Sequence, residues 1–411
     1  MARRSDIPAF GHLQGIKVLC SAVSIAGPYA ANMYAVNGAD VIWMESPYGM
    51  DALRWSNNGW AIEAERKNMR CISLDVRKPA GAALFEKMIA DVDIFIEASR
   101  GGQWTKWGYP DEKLWELNPR LVITHMSGFG QTGVKEYVER PAYDVVVQAY
   151  CGIMNLTGFP DRDPVKAERN PTDYFNALTA YGSSLAAYVG AQRTGRGESI
   201  DLAQYESALA TQGDALAIWL NEKVQLPRRG STHESISGSG TYHCADGKSV
   251  YALLMNEATL RRTCELIGMD YDRDFAPHTV TIKKADPKGA EFEERLTAYC
   301  ASRNSDEVER IFRNLNLPCS RIMDYDMMEH DPHMIAREDF IEWEDIHGEK
   351  VKGRNFFPRF QNEPSRMWRP APSIGLDSAD ICRDYGLSEE EIRRMYEDGV
   401  IFTRDLVRRD M

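Results

Sequence analysis

A chain of 411 residues, 43% of them hydrophobic, buries more than one core comfortably holds, so two domains are expected. With 61 acidic residues against 49 Lys and Arg the formal charge is -12, which argues against nucleic-acid binding over a broad surface and leaves any phosphate-bearing ligand to a local group of cations. Eight scattered cysteines without a C-x-x-C pair read as reduced thiols, and no apolar stretch reaches the length of a membrane span or a leader's core, so a cytoplasmic protein without a membrane partner is expected.

The first half alternates strand and helix patterns. "GIKVLCS" (15–21) is a compact β-branched run, followed by "AGPYAANMYAVNG" with Pro28 in a first helical turn and Asn37-Gly38 as a stop. "ADVIWMES" (39–46) is the next strand, and the rhythm returns with "CISLDV" (71–76), "PAGAALFEKMIADV", "DIFIEAS" (93–99), "DEKLWELNP" and "RLVITHMSGFG" (120–130). Strands and helices at this spacing predict parallel βαβ units and an α/β fold with a doubly wound, Rossmann-like sheet. Near residue 222 the composition turns polar: "NEKVQLPRRGSTHESISGSG" reads as a linker or mobile loop. "TYHCADGKSVYALLM" then reads as a hairpin turning at Asp246-Gly247, and helices follow, which together make a smaller α+β domain. The boundaries expected are 1–222 for the first part of the large domain, 223–328 for the small one and 329–411 for a C-terminal part. Within the last, Ser388-x-x-Glu391 fits a capping box.

Several groups invite a chemical reading. Glu45, ending the second strand, stands where a ribose-binding acid would, yet "SAVSIAGPYAAN" lacks G-x-G-x-x-G, so a nicotinamide cofactor is not expected. Cations gather as Arg66, Lys67 and Arg70 and as Arg100 and Lys106, the latter beside Trp104 and Trp107. Arg100 directly follows a strand and so faces the ligand crevice of an open α/β sheet; the alternative is an ordinary solvated loop with its tryptophans packed at home. His330 and His333 flank a proline with no third ligand nearby, so no metal is assigned. "SISGSG" (235–240) is either a linker or a glycine loop that closes over a reaction centre. Asp173, in the first turn of the helix opened by Pro171, suits the helix dipole as a cap, while small residues after it leave room for a ligand.

Colinear stretches then carry a resemblance from residue 8 to about 400: "LQGIKVLCSAVSIAGPYAANMYAVNGADVIWMESP", "EASRGGQW", "HMSGFGQTG", "PAYDVVVQAY", "PTDYFNAL", "TGRGESIDLAQYE" and "GLDSADICRDYGLSEEEI". On these the chain resembles the family III CoA-transferases, and within them the L-carnitine and bile-acid branches. The resemblance implies an interlocked homodimer, with a Rossmann-like large domain built from both chain ends and a small domain inserted. It implies no prosthetic group, with acyl-CoA and a carboxylic acid as small-molecule substrates. Asp173 is then the nucleophile that forms an acyl anhydride, ionised by the helix N-terminus it also caps; Arg100 and Lys106 contact CoA, and the glycine segment is a lid. Crotonobetainyl- or butyrobetainyl-CoA and L-carnitine are the first substrate pair, a bile acid or another bulky acid the second. Racemases of this fold carry a histidine base where this chain has Tyr143, and formyl-CoA transferases a glutamine where it has Ile25, which disfavours both reactions.

Overall fold

A computed structural model describes residues 2–233, 235–271 and 281–405. The chain divides into two compact units, one of Met1–Ile153, Lys166–Asp214 and Ala336–Met411, the other of Met154–Val165 and Ala215–Ile335.

The first unit is built on a parallel sheet of β1 (Lys17–Ser21), β2 (Asp40–Glu45), β3 (Arg70–Leu74), β4 (Ile94–Glu97), β5 (Val122–Ser127) and β6 (Glu198–Ala203). Its order is β3-β2-β1-β4-β5-β6, and the strand Ile401–Phe402 adds antiparallel to the outer edge of β3. Strands β2 to β5 are buried along their whole length, as parallel strands covered by helices on both faces must be. Alternate residues serve opposite layers. Val18, Cys20, Val41, Trp43 and Ile96 meet the helices Ala26–Ala35 and Pro171–Thr194; Leu19, Ile42, Met44, Phe95 and Ile123 meet Pro79–Asp91 and the C-terminal helices Ser378–Asp384 and Glu389–Glu397. The last of these opens with the expected capping box of Ser388 and Glu391.

From β1 the chain winds to β2 and β3, then crosses back to β4 on the other side of β1. Neighbouring helices therefore diverge at the carboxyl ends of β1 and β4, which opens a crevice there. The five strands of the periodic reading are present. β6 and Ile401–Phe402 were not expected, the first because only its last two residues are buried and the second because it is two residues long.

In the second unit β7 (Ser239–His243) and β8 (Ser249–Leu253) form the expected hairpin, joined by β9 (Cys319–Arg321). Its core is Tyr242, Val250, Phe292, Leu296 and Phe312. The "SISGSG" segment departs from the linker reading. Ser237 donates from its amide to the Ile282 carbonyl (2.9 Å) and from Oγ to the Gly289 carbonyl (2.8 Å), and the Gly238 amide donates to Glu293 Oε2 (2.9 Å). Gly238 has φ +75°, and a Cβ there would stand 3.0 Å from Phe292 and 3.1 Å from Leu254. Polar side chains satisfied by backbone and a glycine packed on the core give no apolar periodicity, yet they fix the chain. His330 is exposed and pairs with Asp326 (3.6 Å), and the described residues hold no group of three or more potential metal ligands.

Candidate active site

The turn after β1 carries the first wall of the crevice. Ser24 adopts φ +65°, and its amide donates to Asp51 Oδ2 (3.0 Å) while Arg66 donates to its carbonyl. A Cβ on Gly27 would lie 2.4 Å from the Ala22 Cβ and 3.3 Å from the Ala98 Cβ, so only glycine lets the helix start sit against the ends of β1 and β4.

Arg66 is thus internal, and so are its neighbours. Arg70 makes a bidentate bond to Asp40 (2.8 Å to each oxygen) and reaches Asp384 (2.7 Å), and Lys67 lies over the Trp343 ring at 4.1 Å. Burial pushes Lys67 down to about 8, with the Arg354 charge adding to it. The cluster is therefore not a solvated loop. Glu45 is buried as well, bound to Arg54 at 2.6 Å, so it is a core ion pair and no ribose ligand.

The turn after β4 forms the second wall. Arg100 lines a cavity of about 400 Å³ together with Ser24, Ile25, Ser99, Trp107, Arg140 and Asp173. Lys106 does not; it is exposed and paired with Glu139 at 3.0 Å. The two tryptophans part company. Trp104 is buried against Phe85 (5.0 Å, stacked) and Phe95 and belongs to the core, whereas Trp107 is 40% exposed and faces the cavity.

Asp173 arrives from the helix Pro171–Thr194. Arg169 and Asn170 take left-handed conformations (φ 63° and 56°), and Pro171 supplies the fixed φ of a first helical residue. The capping acceptor is not Asp173. It is Asp144, at the start of the helix Asp144–Tyr150, whose Oδ1 accepts from the Thr172 amide (2.8 Å), the Thr172 hydroxyl (2.6 Å) and the Asp173 amide (3.3 Å). The side chain of Asp173 instead accepts from Gln204 Nε2 at 2.6 Å. Burial raises its pKa, the Asp144 charge adds to that, and the Gln204 bond opposes it; the outcome is about 7. The expectation of a carboxylate held ionised by the helix end is thereby corrected: desolvation and a like charge outweigh the dipole's usual 0.3–1 kcal/mol, a scale of about half a pKa unit.

The arrangement offers a partly desolvated carboxyl group, oriented by an amide, in a cavity that also has two exposed arginines, Arg100 and Arg140, on its lining. Such a group serves as nucleophile or as general base near neutral pH. Ile25 lends the lining an apolar side chain, and Tyr143, 71% exposed, an aromatic one. Gln204, Asp144 and Arg140 carry roles that the reading of the residues did not assign. Gln204 directly follows a strand end, which is the usable signal. Asp144 is 28 residues from Thr172, whose amide it caps, so no local pattern marks it.

The sequence model described as CoA-transferase family III matches residues 13–378. Among solved structures the chain is similar to a CAIB/BAIF family protein from Brucella suis, 27% identical, over 92% of this chain and 100% of that one with a TM-score of 0.78. It also shares its fold with Rv3272 from Mycobacterium tuberculosis, 21% identical, over 90% of this chain and 99% of that one with a TM-score of 0.75. An alanine mutant of Rv3272 aligns over the same shares at 20% identity and a TM-score of 0.77.

Proposed function

The chain belongs to CoA-transferase family III, and from that membership we propose that it moves CoA between an acyl-CoA and a free carboxylic acid through an acyl anhydride on Asp173. The observation that carries the reading is Asp173 itself: a half-buried carboxyl group in the cavity at the crevice, held by Gln204.

Its carboxylate attacks the thioester carbonyl, the C–S bond breaks and CoA leaves as the thiolate. The acceptor's carboxylate attacks the aspartyl carbonyl of the anhydride, displaces the first acid and leaves a second anhydride. The thiolate attacks the acceptor's acyl carbon, which forms the new thioester and restores Asp173. The anhydride keeps the acyl group activated, so no nucleoside triphosphate is consumed. Water must be excluded while it lasts.

Arg100 is the first candidate for a CoA phosphate, being exposed on the cavity lining with its guanidinium bonded to the Glu139 backbone carbonyl (3.5 Å). Lys106, neutralised by Glu139, is a weaker contact. For the substrates we propose crotonobetainyl- or butyrobetainyl-CoA with L-carnitine, because Trp107 and Tyr143 offer aromatic faces to a quaternary ammonium group. The working form is an interlocked homodimer; exposed Leu178 and Val189 on the helix Pro171–Thr194 suit a subunit interface. Acyl-CoA donors mixed with acceptor acids that include carnitine and cholate, read by mass spectrometry, test the proposal. Transfer to carnitine that vanishes in Asp173→Asn is expected; full activity in that variant removes the nucleophile, and transfer to cholate alone removes the carnitine assignment.

A further inference from the structure

The carboxyl ends of β4, β5 and β6 set Glu97, His125 and Asp201 in register with one another. Neighbours in a parallel ladder share a face, so three ionisable side chains form one row across this end of the sheet. His125 is buried, with Nδ1 bonded to Glu97 Oε1 at 2.7 Å and Nε2 to Asp111 Oδ1 at 2.9 Å. Two carboxylate acceptors need a hydrogen on each ring nitrogen, which only the imidazolium supplies. Burial works against that charge and the two acids overcome it, pushing His125 up to about 9.

What the row holds gives it a task. The second oxygen of Glu97 accepts the Ser99 amide at 2.7 Å. Asp201 accepts the Gln131 amide at 2.7 Å, and Gln131 Oε1 in turn accepts the Gly102 amide at 2.9 Å. Both ends of the turn after β4 therefore hang on this row, and that turn supplies Ala98, Ser99 and Arg100 to the cavity. None of these acids nor His125 takes part in the acyl-transfer steps.

We infer that His125 is a positioning residue: by neutralising and orienting Glu97 it fixes the Ala98–Arg100 wall on which the CoA thioester lies. The inference rests on the reading of the cavity as an acyl-CoA site. A neutral imidazole has one N–H, so Glu97 or Asp111 then meets a lone pair, and buried Glu97 and half-buried Asp111 lose the charge of the imidazolium between them. The charged groups that face His125 among the described residues are Glu97 from β4 and Asp111 from the helix Asp111–Leu117; Asp201 from β6 is turned to Gln131 and Thr132.

The test compares wild type with His125→Gln and Asp111→Asn by two readouts. One is backbone hydrogen exchange over residues 98–104 in the free protein, the other KM and kcat for acyl-CoA across pH. In His125→Gln the segment exchanges about tenfold faster and KM rises roughly five- to twentyfold, with kcat within about twofold. Wild-type KM climbs as pH passes about 9. That climb begins at lower pH in Asp111→Asn and is missing in His125→Gln. Unchanged exchange in His125→Gln, unchanged KM, or a loss confined to kcat overturns the inference. Should His125→Gln not fold, an unmoved alkaline limb in Asp111→Asn overturns it. If wild type transfers CoA from no donor, the proposed function falls, while the exchange readout still decides whether His125 holds the turn.

Discussion

Asp173 carries two opposed consequences of one environment. Burial and the Asp144 charge raise it to about 7, so a large share of the free protein holds it protonated at neutral pH. Only the carboxylate attacks a thioester. We therefore expect kcat/KM for acyl-CoA to rise with pH through a midpoint near 7, read from a pH profile of initial rates. Asp144→Asn keeps an oxygen for the Thr172 cap and removes the like charge. The same limb should then move toward acid by about one unit or less, since burial, the larger cause, remains. An unmoved limb contradicts the coupling. The sign for stability follows. An acid raised on folding costs nothing below its unfolded value, and the cost grows between that value and the folded one and is complete above it. Asp173→Asn should therefore be more stable than wild type at pH 8 by roughly 1–3 kcal/mol, with the difference gone near pH 4, measured by denaturant titration. At this scale the sequence disclosed the acid and its proline neighbour. It concealed the cap, because the cap comes from another helix, and the partner Gln204, because a strand and 31 positions separate it from Asp173.

Elements decide where these side chains meet. The cavity lies where β1 and β4 end because the strand order reverses there, and its walls are the turns that follow those strands. Gly27 sets their spacing. Gly27→Ala places a methyl carbon against Ala22 and Ala98, backed by a helix start and two strand ends that cannot all give. It should cost about 1–3 kcal/mol in thermal unfolding and raise KM for acyl-CoA; wild-type values for both contradict the account. The strands β1 to β5 were legible because apolar residues predominate on both faces. β6 was not, since only Leu202 and Ala203 are buried in it. Arg66, Lys67 and Arg70 looked like surface charge for the opposite reason: buried Asp51 and Asp40 and half-buried Trp343, none of them a sequence neighbour, are what admit them to the interior.

For the whole molecule, a net charge of -12 repels anions at long range, so an anionic ligand of the crevice would have to be met by local cations such as Arg100 and Arg140 on its lining. The sheet order, and hence the crevice, is invisible in any one segment; the colinear stretches that mark the family stand in for it. No described helix is long and apolar enough to cross a membrane. The central claim is that one carboxyl group is broken and remade in every turnover. An acceptor acid labelled with heavy oxygen in its carboxylate, turned over with acyl-CoA and followed by mass spectrometry of the peptide that contains Asp173, tests it most directly. The account predicts label in Asp173 and in no other side chain. An unlabelled Asp173 after many turnovers would contradict it.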